Sequence, residues 1–378
     1  MQKNHTKQKS LTVKAFRNWF FPVLIPLSLF LLLIYSETAV NYMRKGLTLC
    51  ATAVIPSLFP FMIISELIIK SGIGQIISRI FRLPMKLIFG VSESAATAFI
   101  LGALCGFPIG TLTLVKMLDR GEISKRELER MMTFCNIPGA AFVISTVGAS
   151  LLGSLKLGIL IFFSIVVSSL IIGIFCRFIY RKDDYRNRTS PPINIKITVN
   201  DFTDSVRSSA TSILNVCAFI LFFSTVVGCI GSIIKGVGIS ETALAFICGI
   251  FEISGGVSAA AALSIREQAA PLCAFIAGWS GISVHFQLMS LASGRNISFK
   301  PYIIAKTAQG VLAALITFSV TKTFPDLLAS SSAVFLPNFD GKMNAYTMLS
   351  LAFFLASAAF LSFKEPKETK TQNIIKNF

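Results

Sequence analysis

Two stretches of this chain resemble one another, and each is an apolar segment broken near its middle. SESAATAFILGALCGFPIG (Ser92–Gly110) resembles SETALAFICGIFEISGGVS (Ser240–Ser258). The first breaks at Gly106-Phe107-Pro108, the second at Ser254-Gly255-Gly256. Each is followed by a second glycine-interrupted apolar segment, CNIPGAAFVISTVG (Cys135–Gly148) or AGWSGISVHFQLMS (Ala277–Ser290). Interrupted hydrophobic segments at matching places in two halves of a chain point to a solute site within a membrane transporter.

Composition places that repeat in a bilayer. Of 378 residues, 53% are hydrophobic and 14% charged, and the mean hydropathy is +0.71. A soluble domain carries about 25% charged residues. Too few polar residues remain here to coat a soluble surface. The lipid bilayer is therefore the expected solvent. Lys3, Lys7, Lys9, Lys14 and Arg17 precede the apolar run Phe20–Tyr35 without an intervening acid. No convincing small-residue cleavage site follows, so the run reads as a first span or signal anchor. The net charge of +17 is spread over loops and termini. Positive-inside bias accounts for it without nucleic acid as a partner. Eight cysteines lie in or beside apolar segments with no CxxC pair, and they read as small buried hydrophobes.

Spans are expected at 19–36, 46–69, 134–152, 156–179, 208–234, 270–293, 301–321 and 345–362, each near the roughly 20 residues a bilayer requires. The broken segments 92–118 and 240–263 are either spans or re-entrant hairpins. Loop charge favours hairpins. The basic regions 70–86, 177–207 and 295–306 then share the cytoplasmic side with both termini. With two full spans, 177–207 and its seven basic side chains would lie outside. The expected fold class is an all-α integral membrane protein with about eight transmembrane helices and two re-entrant hairpins in an inverted-topology repeat. Its units are an N-terminus and first helix (1–45), a first repeat (46–180), a cytoplasmic linker (181–206), a second inverted repeat (207–322), and an outside loop, last helix and cytoplasmic tail (323–378). DRGEISKRELER (119–130) is expected to form a short cytoplasmic helix, with Ser124 as cap and Glu127 completing a capping box.

Ionisable groups in apolar segments are functional candidates. Glu66 lies near the end of its span and is expected to reach Lys70. Glu93 and Glu241 hold matching places at the starts of the broken segments, where a helix N-terminus also favours negative charge. A coupling or gating role is assigned to both, and to Glu252 beside Ser254-Gly255-Gly256, the first candidate for proton or cation coupling. The alternative for Glu252 is a carboxylate paired with helix-end amides. The turns Gly106-Phe107-Pro108 and Ser254-Gly255-Gly256 leave backbone groups free for a solute. Asn136 offers a donor and an acceptor. Trp279, Ser280, Ser283 and Gln287 complete the expected substrate-binding set. Ser283 and Gln287, four apart, share a helical face, whereas His285 does not join Gln287. Trp279 is either a stacking platform or an interface anchor. No metal site and no cofactor is expected. GxGxxG before a helix, Walker A, HExxH and GxSxG are all missing, so neither an enzyme nor a nucleotide-driven pump is expected.

GALCGFPIG, the charged amphipathic stretch after it and FCNIPGAAFVISTVG carry a resemblance. The chain resembles the YlbJ (SpoVV) family of sporulation integral membrane proteins, in the nucleoside-recognition, or Gate, group. The resemblance runs from about Leu47 to Phe318 and is strongest over Gly102–Gly153. Gly106-Phe107-Pro108 corresponds to the family's GYP-type turn. CNIPGA at 135–140 keeps Asn136 of a CNNSGP-like motif but has Ile137-Pro138 where Asn-Ser is common. The resemblance implies a secondary transporter that exports dipicolinic acid, pyridine-2,6-dicarboxylate, from the mother cell across the outer forespore membrane. Nucleosides or another small organic anion are the alternative cargo, and a non-transporting scaffold is the alternative role. The coupling cation or proton and a homo-oligomer stay open. No arginine or lysine stands clearly inside the membrane on this reading, so a dianion would rest on dipoles, hydroxyls and a cotransported cation.

Overall fold

The computed structural model describes residues 26, 29, 30, 32–179, 197–235 and 238–328. The expected last span, most of the first and most of the linker lie outside them. Every regular element among the described residues is helical. In chain order they are α1 (Ser36–Leu49), a π-helical turn (Cys50–Val54), α2 (Ile55–Lys70), α3 (Ile73–Ile80), a short helical turn (Arg82–Phe89), α4 (Ser94–Cys105), α5 (Ile109–Asp119), α6 (Lys125–Cys135), the π-helical α7 (Phe142–Leu151) and α8 (Leu155–Ile179). The second half holds α9 (Val199–Lys235), α10 (Glu241–Phe251), α11 (Ile253–Ala261), α12 (Arg266–Trp279), α13 (Gly281–Leu291) and α14 (Lys300–Thr323).

Four stretches are long and apolar enough to cross a bilayer: Leu155–Ile179, Val199–Ile234, Arg266–Leu291 and Lys300–Thr323. Two bent pairs, Leu58–Lys70 with Ile73–Ile80 and Arg82–Phe89 with Ser94–Cys105, raise the number to six if each is one span. At about 1.5 Å per residue, the 24 residues of α14 exceed a hydrocarbon core of about 30 Å. The 12 residues of α4 and 11 of α10 do not. Instead α4 packs on α5, and α10 on α11, as two helical hairpins. On the long helices, Phe163, Phe175, Phe222 and Ile304 are each more than half exposed. Water would penalise so many exposed large apolar side chains, and lipid does not.

Contacts between the two halves come in matched pairs. The α7 helix packs on α11, and α13 packs on α5. The α14 helix packs on α6, and α8 packs on α12. Glycines bring several elements to backbone contact: Gly148 meets Gly158, Gly249 meets Gly256, and Gly278 meets Gly310. Small residues allow this approach between membrane helices, where dispersion does much of the work of association.

Several boundaries differ from expectation, each for a local reason. The span expected from 208 begins at Val199, inside the polar arm. Thr198 and Asp201 cap it reciprocally: Asp201 N donates to Thr198 Oγ1 at 3.2 Å, and Thr198 N donates to Asp201 Oδ2 at 2.9 Å. The stretch expected as one span over 134–152 is split at Asn136–Gly139 into α6 and α7. The span at 270–293 is split at Ser280. The capping box expected at α6 forms by half. Glu127 N donates to Ser124 Oγ at 3.2 Å, but the Glu127 carboxylate accepts from Ser92 N at 2.8 Å. It thereby ties α6 to the loop before the first hairpin.

Candidate functional site

Each hairpin turn rests on the broken helix of its own half. At the first, Gly106 has φ +82°, and a side-chain carbon there would lie 2.8 Å from the Cα of Gly139. Only glycine tolerates both that dihedral and that approach. At the second, Gly281 has φ +81°, and a side-chain carbon would lie 3.1 Å from Ile253 N and 3.2 Å from the Cα of Glu252. Ser280 before it also takes a positive φ, 80°. It is fully buried, its hydroxyl within 3.3 Å of the Ala277 carbonyl. The two halves thus use one device: a turn and a helix break locked backbone to backbone.

The two hairpin turns and the first helix break line one cavity of about 490 Å³. Phe107 and Pro138-Gly139 line it from the first half, and Glu252-Ile253-Ser254 and Gln287 from the second. Thr52, Ser145 and Thr146 add hydroxyls to an otherwise largely apolar wall. Its volume falls in the range of small-molecule sites, about 300–1,000 Å³.

Glu252 is 2% exposed. Its carboxylate accepts from Ser254 N at 2.9 Å and Gly255 N at 2.6 Å. It is the N-cap of α11, so negative charge meets the positive end of a helix. The helix-end pairing considered for it is present, and the same carboxylate faces the cavity. Close backbone approach belongs to Gly256, which abuts Gly249, while Gly255 meets only Glu252 Oε2 at 3.3 Å and Val227 at 3.9 Å.

Asn136 lies behind the cavity wall with its side chain fully engaged. Thr111 Oγ1 donates to Asn136 Oδ1 at 2.8 Å, and Asn136 Nδ2 donates to the Met132 carbonyl at 3.0 Å. Gln287 Nε2 donates to Ser283 Oγ at 3.4 Å, the shared face expected from their spacing. Trp279 donates from Nε1 to the Ile250 carbonyl at 3.1 Å and stands edge-on to His285, with ring centroids 4.4 Å apart. It braces α12 against α10 and does not line the cavity. His285 Nδ1 lies 3.0 Å from the Tyr302 hydroxyl. Its buried Nε2 has no partner among the described residues. Glu93 and Glu241 sit at the starts of the hairpins, outside the cavity wall: Glu93 lies 3.4 Å from Arg82 Nε, and Glu241 is exposed.

Two cations were hidden in the sequence. Lys116 donates to Glu66, replacing the expected Lys70 partner, and Ser208 Oγ donates to the same carboxylate at 2.6 Å. The reason is tertiary: α5 and α9 both pack on α2. Lys306, grouped above with a basic loop, sits in α14 with no exposed surface. Its ammonium donates to the Asn136 carbonyl at 3.0 Å and to Gln309 Oε1 at 2.7 Å. The available signal was Pro301, which favours the first turn of a helix and so places Lys306 within one.

These features define an all-α, multi-pass membrane protein whose two interrupted hairpin units share a cavity. The chain is YlbJ-like. It is similar to the sporulation integral membrane protein YlbJ of Bacillus subtilis (strain 168), at 27% identity over 322 residues, covering 76% of this chain and 79% of that protein. No family model matches the chain. No solved structure matches it.

Proposed function

We propose that the chain is a secondary transporter of a small organic anion, dipicolinate, working in the outer forespore membrane of sporulating cells. One observation carries the transport reading: both hairpin turns, the first helix break and the α13 helix that follows the second break line one cavity. A scaffold needs neither broken helices nor a polar-tipped cavity. The matched contacts between halves support two inverted repeats, which can exchange packing to open the cavity to opposite sides. Similarity to a sporulation integral membrane protein supports the setting. The resemblance noted above supplies the cargo, and Lys306 supplies a basic side chain within the bundle. Glu252 is the coupling candidate, because its carboxylate both faces the cavity and caps α11.

The test is uptake of labelled dipicolinate by proteoliposomes of purified protein, with empty liposomes alongside. Saturable uptake that excess dipicolinate blocks and nucleosides do not is the expected result. Uptake blocked by nucleosides would reassign the cargo. No flux of either, in folded protein, would leave a scaffold.

A further inference from the structure

Lys306 has three N–H donors, and two of them have oxygen partners, the Asn136 carbonyl and Gln309 Oε1. The ammonium also stands 5.2 Å from the centroid of the Phe107 ring. No carboxylate is paired with it among the described residues, whose ion pairs all involve other cations. Phe107 itself lines the cavity. One aromatic side chain therefore touches both the cavity and a fully buried cation.

A structural staple alone would not call for an ammonium. The helix break at Asn136 frees a carbonyl, and a neutral donor would satisfy it. A lysine buried in an apolar bundle without a counter-ion is costly, and partial neutralisation by a ring face and two oxygens recovers only part of that cost. A carboxylate delivered through the cavity would complete the balance by displacing the Phe107 ring, which lines the cavity and covers the ammonium.

We infer that Lys306 selects for negative charge in the cargo: when the Phe107 ring turns aside, the ammonium takes a solute carboxylate as its third partner. This rests on the reading of the cavity as a transport site. Phe107 is the shutter. It shields the cation while the cavity is empty and yields it to an anion.

The experiment compares wild type, Lys306→Met, Lys306→Arg and Phe107→Leu in proteoliposomes. The probes are labelled pyridine-2,6-dicarboxylate, pyridine-2-carboxylate and the neutral uridine, with size-exclusion profiles as the check on folding. Loss of a charge-assisted bond is worth about tenfold or more, so Lys306→Met should raise the KM for the dicarboxylate by that factor and erase its preference over uridine. Lys306→Arg should keep much of that preference. Phe107→Leu should lower the KM for both carboxylates relative to that for uridine. A folded Lys306→Met with wild-type KM and wild-type preference overturns the inference and leaves the transport reading intact. If Lys306→Met does not fold, a carboxylate KM unchanged relative to that for uridine in Phe107→Leu overturns it. Wild-type protein that carries uridine but neither carboxylate overturns both the anion reading and this inference.

Discussion

Glu252 and Glu66 are both buried glutamates in apolar helices, yet their surroundings give them different work. Glu252 accepts two main-chain amides at the cavity wall. Glu66 is 1% exposed and paired with Lys116. Glu252→Gln should therefore reduce dipicolinate flux per folded molecule while the fold survives, because the amide oxygen still accepts one bond. Glu66→Gln should instead lower stability: breaking a fully buried pair costs about 3–5 kcal/mol, and the partly exposed Lys116 keeps the loss below that. Flux and thermal melting measured on both variants separate these outcomes, and equal flux with equal melting would refute the distinction. The two turn glycines part in the same way. Gly106→Ala forces a Cβ into a glycine-only conformation against Gly139, at about 1–3 kcal/mol of backbone strain alone. Gly255→Ala meets only a carboxylate oxygen at 3.3 Å and should melt close to wild type. A Gly106→Ala protein as stable as wild type would show that the turn does not need its close contact.

At the level of elements, the ends of helices are fastened by polar contacts that link distant parts of the chain. The end of α5 is held to the loop before α14. Arg295 Nε and Nη2 donate to Asp119 at 2.8 and 2.7 Å, and Ser298 N donates to Glu129 of α6 at 2.7 Å. The Arg295 hydrogen bonds hold the Asp119 carboxyl below the usual carboxylate range, against the smaller opposing effect of burial. A carboxyl depressed on folding adds stability that is fully present above its unfolded pKa, about 3.9. That stability is lost as pH falls through the folded value. Asp119 is largely exposed, so the pair is worth no more than about 1 kcal/mol. Asp119→Asn should cost that little at pH 7 and flatten the acid limb of a stability–pH profile. An unchanged acid limb would mean the pair does not hold in solution. The start of α9 offers a second measurement. Asp201→Ala removes the acceptor for Thr198 N, and a lost cap typically costs about 1 kcal/mol. Amide exchange in the first turn of α9 should rise.

At the scale of the whole molecule, the described residues of each half run in the same order: a helix, a hairpin, an interrupted helix pair and a long helix. In inverted units, the open ends of the two hairpins face opposite sides of the membrane. Cysteines placed at the exposed Lys125 and Ser264 should then react with a membrane-impermeant thiol reagent from opposite sides, and labelling of both from one side would sink the inverted arrangement. The eight native cysteines are buried and free, so their background should be low. Much of this plan was legible in the chain. Apolar composition called for a bilayer, and Gly106 and Pro108 marked the first hairpin turn. The second break falls at Glu252, whose carboxylate caps the next helix, so Ser254-Gly255-Gly256, expected as the break, lies inside α11. The likeness of Ser92–Gly110 to Ser240–Ser258 suggested a repeat. All of these are local properties, written residue by residue in hydropathy and backbone freedom. What the chain could not disclose was pairing at a distance. Lys306 read as a loop cation because its partners, the Asn136 carbonyl and the Phe107 ring, lie 170 and 199 residues away in sequence. Glu66 was matched to a neighbour four residues on, when its real partner is Lys116. Trp279 and Asn136 advertised ligand chemistry that the fold spends on its own carbonyls. Sequence by itself determined which segments are interrupted. Only the tertiary structure decided what each break faces, because burial and charge pairing depend on which elements pack together, and packing is non-local.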